Sequence, residues 1–281
     1  MIAGVDRARL RADLEALPVP PGATVLVHAS MRLVRPHQGS AATVVAALMD
    51  VLGADGTLVV PAQTAWNSTS SPHFRAATAG MTPRQIAAHR AALPAFDPLT
   101  SPAHGMGALA EYVRTMTGAQ RSAHPQTSFA AVGARAAELT RVHRINCHLG
   151  VESPLGALHE SAGMVLHLGT GYGVSTIFHL AEYLYRTLPL RTYECRLADS
   201  ADGDGDGWIR FTDIPLYDGD FARLGRDFEA ETGAVRRGPV GSAEALIFPA
   251  RDAVRYAVKW MRRTRPESGP SNQGPSPLPS P

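Results

Sequence analysis

The chain predicts an α/β fold: a mixed central sheet flanked by helices, in a single large domain that also carries a polar insertion and a β-hairpin. Three observations carry that prediction. Residues 23–27 form a short β-branched run that ends in His28-Ala29-Ser30-Met31-Arg32. An apolar helical pattern over 41–52 follows, and the turn Gly53-Ala54-Asp55-Gly56 closes it before a second strand at 57–60. Farther along, a strand at 164–168 leads through Gly169-Thr170-Gly171-Tyr172-Gly173 into a helix over 175–187. Strands alternating with helices bury a sheet on both faces.

The remaining elements follow the same logic. Residues 6–16 show helical spacing around Leu10 and Leu14, and Pro18-Val19-Pro20-Pro21-Gly22 stops them. The stretch 63–102 is irregular and rich in Ser, Thr, Pro and His, as binding loops often are. A helix is expected at 107–116, a strand at 128–132, a hairpin from 192–197 and 208–212, and closing helices at 221–231 and 250–263. Residues 265–281 are dominated by Pro, Ser and Gly and cannot bury enough apolar surface to order themselves, so the domain is set at 1–264 and a disordered tail at 265–281.

Bulk properties remove several classes of function. The chain has 281 residues, 44% of them apolar and 19% charged, with a formal net charge of +2. No basic run interleaved with aromatics tracks a nucleic-acid backbone. No segment approaches the roughly 18 to 20 apolar residues of a membrane helix. Cys147 and Cys195 are too few for a disulfide framework and suit a reducing compartment, so a cytoplasmic location is expected. The oligomeric state stays open, with a homodimer as one option.

Chemistry concentrates on the helix after the glycine-rich turn. Thr176, His179 and Glu182 stand at i, i+3 and i+6, so His179 has the other two as same-side neighbours. A carboxylate one turn from an imidazole fixes its tautomer and raises its basicity, and a hydroxyl near the helix N-terminus is placed to steady an oxyanion. Such i,i+3 pairs are also common on solvated helix faces, and taken alone that reading slightly outweighs the catalytic one. The glycine turn offers a rival, a dinucleotide site, but its spacing is GxGxG rather than GxGxxG. Asp202, Asp204, Asp206, Gly207 and Asp213 mimic a calcium loop but read better as an acidic hairpin turn, because Asp ends the series and Pro215 follows. His143, Cys147 and His148 have no fourth ligand at zinc-like spacing, so no metal is expected.

Five ordered segments then add a resemblance that spans nearly the whole chain apart from the tail. They are Val27-His28-Ala29-Ser30-Met31 with Gly39; the run from Ala46 to Pro61; Met106-Gly107-Ala108-Leu109-Ala110-Glu111 with Arg114; Arg121-Ser122-Ala123-His124-Pro125 with Ser128-Phe129-Ala130-Ala131-Val132-Gly133; and Ser153-Pro154-Leu155 followed by Ser175-Thr176-Ile177-Phe178-His179-Leu180-Ala181-Glu182. In these the chain resembles the aminoglycoside 3-N-acetyltransferases. The resemblance implies transfer of acetyl from acetyl-CoA to the 3-amino group of the 2-deoxystreptamine ring of an aminoglycoside, a reaction that confers antibiotic resistance. It makes His179 the general base, Glu182 its orienting partner and Thr176 the oxyanion donor, which reverses the balance at His179. It places Ser30, Met31, Arg32, Ser122 and His124 beside the coenzyme. A polycationic drug needs carboxylates and aromatic faces, for which Trp66, Glu152 and Asp213 are candidates. The sequence departs from the commoner family pattern at Ala29, usually serine, and around Val34-Arg35-Pro36, where a glycine is typical. Two alternatives accompany this reading: a related acetyl-CoA-dependent N-acyltransferase acting on another biosynthetic amine, and a dinucleotide-binding protein.

Overall fold

Alternating burial on both sides of a short parallel core organises the molecule. The structure is a computed structural model that describes residues 4–198 and 207–265. Its strands are β1 (Thr24–Ala29), β2 (Thr57–Pro61), β3 (Gln120–Arg121), β4 (Phe129–Gly133), β5 (Met164–Leu168), β6 (Arg191–Arg196), β7 (Trp208–Asp213), β8 (Arg236–Val240) and β9 (Ala243–Pro249). The helices are α1 (Arg7–Ala16), α2 (Met31–Val34), α3 (Ala41–Leu52), α4 (Pro72–Ala77), α5 (Pro83–Ala91), α6 (Gly107–Thr115), α7 (Ala136–Arg141), α8 (Pro154–Glu160), α9 (Ile177–Leu184), α10 (Phe221–Thr232) and α11 (Ala250–Thr264).

Seven strands form the main sheet in the order β3-β4-β2-β1-β5-β9-β8. β1 runs parallel to β2 on one side and to β5 on the other, and the outer pairs are antiparallel, so the sheet is mixed as expected. Every residue of β2 and all but the last of β1 are buried, the pattern of strands covered on both faces. Val25 and Val27 face a core shared with Leu10, Leu14, Leu48 and Leu109 of α1, α3 and α6. Leu26, one residue out of phase, faces the opposite core with Phe178 of α9, Phe228 of α10 and Trp260 of α11. The chain leaves β1 toward β2 on one side and reaches β5 on the other. The carboxyl ends of β1 and β5 therefore mark the point where the strand order reverses, the usual ligand crevice of an open α/β sheet.

Local chemistry explains the element ends. Ser40, Ser71, Thr82 and Ser153 accept backbone N–H groups at the starts of α3, α4, α5 and α8, and Pro lies in the first turn of the last three. The stretch 63–102 carries α4 and α5 and docks on β6, where the Arg196 amide donates to Asn67 O at 2.8 Å and the Phe96 amide to Arg196 O at 2.8 Å. The expected helix over 175–187 is shorter, because a 3-10 turn at Tyr172–Val174 precedes it and α9 begins only at Ile177. The hairpin β8–β9 lies outside the sequence reading. β8 carries Arg236-Arg237-Gly238-Pro239 with no apolar alternation, and the buried run of β9 passes directly into α11. The acidic turn 202–206 and the tail beyond Arg265 lie outside the described residues. Arg265, placed by sequence at the head of that tail, is the C-cap of α11 and is buried.

Candidate functional site

The turn between β5 and α9 is shaped by close packing. Gly169 has φ +67, and a Cβ there would approach the Leu33 Cβ to 2.9 Å, so glycine alone passes without strain. Behind the turn, His28 of β1 and His167 of β5 are register partners, and their rings stack at 4.8 Å. His167 Nδ1 lies 2.9 Å from Thr170 Oγ1 and its Nε2 lies 3.0 Å from Ser175 Oγ, so one ring secures both ends of the turn. Burial pushes His28 down to about 4 and His167 well below its ordinary value, so both rings are neutral near neutral pH.

From this base α9 presents the predicted residues. His179 Nδ1 lies 2.6 Å from Glu182 Oε2, and the imidazole packs on Phe221 with ring centroids 4.7 Å apart. The Glu182 side chain is fully buried and the His179 side chain is 12% exposed. An ionised carboxylate only accepts, so Nδ1 carries the hydrogen and Nε2 keeps its lone pair. No described residue bonds that Nε2. Thr176 Oγ1 stands 3.3 Å from His28 Nε2, which links the opening of α9 to the end of β1. Glu182 is not solvated, as it would be on a surface helix. Its Oε1 receives Arg265 Nη1 at 2.5 Å and the Tyr217 amide at 3.1 Å.

The other predicted residues divide. Ser30, Met31 and Arg32 follow β1 at the reversal point. The Ser30 amide donates to Leu168 O at 2.8 Å, and exposed Arg32 has no carboxylate partner among the described residues. Ser122 and His124 are buried in the segment that pairs with the end of β2, where the Ala62 amide donates to Ser128 O at 2.9 Å and the Thr64 amide to Gln126 O at 3.0 Å, and the His124 ring meets Phe211 of β7. The Ser122 hydroxyl bridges the Phe129 amide and His143 Nδ1, each at 2.9 Å. His124 Nδ1 accepts from the Gln126 and Thr127 amides, and its Nε2 donates to Ile145 O at 3.1 Å. Both side chains have their polar atoms engaged and are 0% and 1% exposed.

Asp213 is likewise committed. Its Oδ2 accepts from the His148 amide at 2.7 Å, His148 Nδ1 at 2.6 Å and the Tyr183 hydroxyl at 2.6 Å. That set ties α9 and the 142–151 loop to β7. Glu152 is exposed and pairs with Arg144 at 3.2 Å. Trp66 is 47% exposed and stacks on His73 at 5.0 Å beside His104, at the mouth of a cleft of about 210 Å³ lined by Phe74, His89 and Leu93. His143 and His148 serve these hydrogen bonds, and among the described residues no three His, Cys, Asp or Glu side chains are grouped to hold a metal ion. Sequence reasoning missed Arg265, Tyr217, Asp220 and the His28–His167 stack. Of these only His28 carried a signal, through its place in the first of the five ordered segments.

A mixed α/β sheet whose reversal point carries a histidine bonded to a buried glutamate is the make-up of an enzyme. The chain belongs to the aminoglycoside 3-N-acetyltransferase family, whose sequence model matches residues 26–262, and its members are acyltransferases. Aminoglycoside N(3)-acetyltransferase VII of Streptomyces paromomycinus is 39% identical over 271 residues, covering 92% of this chain and 91% of that protein. The crystal structure of the YokD protein from Bacillus subtilis superposes with a TM-score of 0.85 at 30% identity, covering 93% and 94% of the two chains. A binary complex of AAC-IIIb with CoASH superposes with a TM-score of 0.77 at 29% identity, covering 95% and 99%. Family membership displaces the dinucleotide-binding alternative. No helix among the described residues is long and apolar enough to cross a membrane.

Proposed function

We propose that this protein transfers acetyl from acetyl-CoA to the 3-amino group of the 2-deoxystreptamine ring of an aminoglycoside, by direct attack in a ternary complex, and so confers resistance. The observation that carries the reading is the His179–Glu182 contact of 2.6 Å, with Nε2 of the imidazole left unbonded by any described residue. In this reading the neutral amine attacks the thioester carbonyl, forming the C–N bond as the C–S bond breaks. His179 Nε2 takes the proton lost by the amine and returns it to the departing thiolate. The Thr176 hydroxyl steadies charge on the carbonyl oxygen. His28, neutral at working pH, meets Thr176 Oγ1 through Nε2 and, if Nε2 carries the hydrogen, frees the hydroxyl proton for that task.

Direct attack is supported by the cysteines. Both are buried, and burial raises the Cys147 thiol and pushes Cys195 up to about 12, so neither is an activated nucleophile. The coenzyme is assigned to the crevice beyond β1, β2 and β5. Ser30, Met31 and the cation of Arg32 are there, and Gln63, just beyond β2, has a buried Nε2 with no partner among the described residues. That orphan donor and the unpaired guanidinium suit a ligand bearing phosphates and amide carbonyls. For the drug, exposed Trp66 and Glu152 remain as contacts, and Asp213 is reassigned to holding α9. The functional unit is taken to run through Arg265, and a cytoplasmic setting suits a protein that uses acetyl-CoA.

Release of free coenzyme A thiol, measured against a panel of aminoglycosides and other primary amines, tests the assignment. Aminoglycosides with a 3-amino group should give turnover; exclusive turnover of an unrelated amine would select the other N-acyltransferase. His179→Ala should lower kcat by roughly 10² to 10⁴ with coenzyme affinity nearly unchanged. Full activity in that variant would remove the base.

A further inference from the structure

The Glu182 carboxylate is buried away from solvent, where a charge is costly unless it is paired and hydrogen-bonded. The structure supplies that partner from 83 positions farther along the chain. Arg265, the C-cap of α11, donates through Nη1 to Glu182 Oε1 at 2.5 Å, and its side chain is only 3% exposed. The guanidinium is fixed from behind by both Asp220 oxygens, at 2.9 Å from Nε and 2.7 Å from Nη2, and by Tyr217 O at 3.0 Å. The aromatic rings of Tyr185, Tyr217 and Phe221 surround it.

We infer that Arg265 is a positioning residue for acetyl transfer, holding Glu182 turned toward His179 and offsetting its charge, so that it sets the charge against which His179 accepts its proton. The inference rests on His179 acting as the base. With His179 neutral, Glu182, Arg265 and Asp220 sum to one negative charge, and arrival of the proton on His179 brings the cluster to neutrality. Without Arg265 the sum would be two negative charges, and His179 would hold a proton before the amine arrives. Burial works against the charged guanidinium, yet the hydrogen bonds and charges of Asp220 and Glu182 outweigh it and hold Arg265 above its ordinary range. Other ionisable groups near the dyad are the Tyr193 phenol of β6, which senses the Glu182 charge, and, at the C-terminal end of α9, Arg262, which donates to Tyr185 O and Leu184 O, and Arg186, which lies over the Tyr185 ring. Among the described residues only the Arg265 guanidinium bonds the Glu182 carboxylate, so it is the cation that acts on the dyad directly.

The test is the pH profile of kcat/KM in the full-length chain, read by coenzyme A thiol release. Arg265→Gln removes the cation and should move the acidic limb up by about one pH unit, with kcat at pH 7 falling about tenfold and KM for the drug changing less than threefold. Asp220→Asn removes an anion one step farther out and should move the same limb down by roughly half a unit. Arg265→Lys keeps the charge and should leave the limb near its wild-type position. A purely structural role would lower stability in all three variants without moving the limb, and limbs superimposed on wild type in both Arg265→Gln and Asp220→Asn would overturn the inference. If Arg265→Gln does not fold, the direction of the Asp220→Asn limb decides alone. His179→Ala in the same series separates the two levels: retained turnover there defeats the base assignment, whereas a dead His179→Ala with unmoved limbs defeats only the role of Arg265.

Discussion

Arg35 shows how one residue records a departure from its family. It ends α2 in the left-handed conformation, with φ 51 and ψ 55, and its side chain is exposed. A Cβ in that region costs roughly 1–2 kcal/mol, and this is the stretch where a glycine is typical of the resembling family. Arg35→Gly should raise stability by about 0.5–1 kcal/mol, because relief of the Cβ exceeds the added freedom of the unfolded chain. Chemical denaturation checks it, and a loss of stability would mean that the side chain holds the loop. The Arg35 carbonyl accepts from the Val5 amide at 3.0 Å, a contact that the substitution leaves in place. Near the reaction centre the same scale separates residues that look alike in sequence. Glu182 and Asp213 are both buried carboxylates bonded to a histidine, but His179 keeps an unbonded nitrogen whereas His148 Nε2 lies 2.8 Å from Gln126 Oε1. One pair has a place to receive a proton and the other is closed.

At the scale of elements, close packing of helices surrounds the proposed site. α10 packs flush on the 3-10 turn that leads into α9. A Cβ added at Gly225 would lie 2.0 Å from the Tyr172 ring, inside any allowed contact. Gly225→Ala therefore has to push α10 off the turn, at a cost of about 1–3 kcal/mol. Because Phe221 on α10 packs against the His179 ring, kcat should fall along with stability. Thermal denaturation and thiol release on the same preparation check both effects, and an unchanged melting temperature would show that the turn yields. The same dependence explains why α11 matters to chemistry. Its apolar face, through Ala253, Ala257 and Trp260, packs in one core with Phe178 and Ala181 of α9 and so delivers Arg265 to Glu182.

Across the whole molecule the buried histidines set a limit on acid tolerance. Burial lowers His28 and His143 to about 4, and it takes His124 and His167 well below the ordinary value. Each is neutral in the fold and protonates near 6.5 in the unfolded chain. The unfolded state therefore binds more protons as pH falls. The stability these groups support is complete above about pH 6.5 and is lost as the pH drops toward 4, at about 1.4 kcal/mol per pH unit for each such histidine. Urea midpoints recorded between pH 7.5 and 4.5 should fall steadily, and a flat profile would mean that these rings accept protons without unfolding. His28 and His167 lie under the turn before α9, and His124, which packs on His143, meets Phe211 of the β6–β7 hairpin, so both regions share this vulnerability.

By itself the sequence determined the alternation of strands and helices, the α/β class, the helix carrying Thr176, His179 and Glu182, and, through five ordered segments, the family. Those features are local: burial periodicity, caps and turn residues act within a few positions, and α3 and β5 match their expected spans residue for residue. The shape of the site was decided only by tertiary structure. Ser122 and His124, which the resemblance sets beside the coenzyme, are bonded to His143 and Ile145, partners that only the fold brings to them. Arg265 reads as the start of a Pro-rich tail, yet α11 brings it within 2.5 Å of Glu182, a residue 83 positions earlier. Spacing along one helix could pair His179 with Glu182, but the cation that offsets that buried carboxylate is supplied only by the packing of α11 against α9.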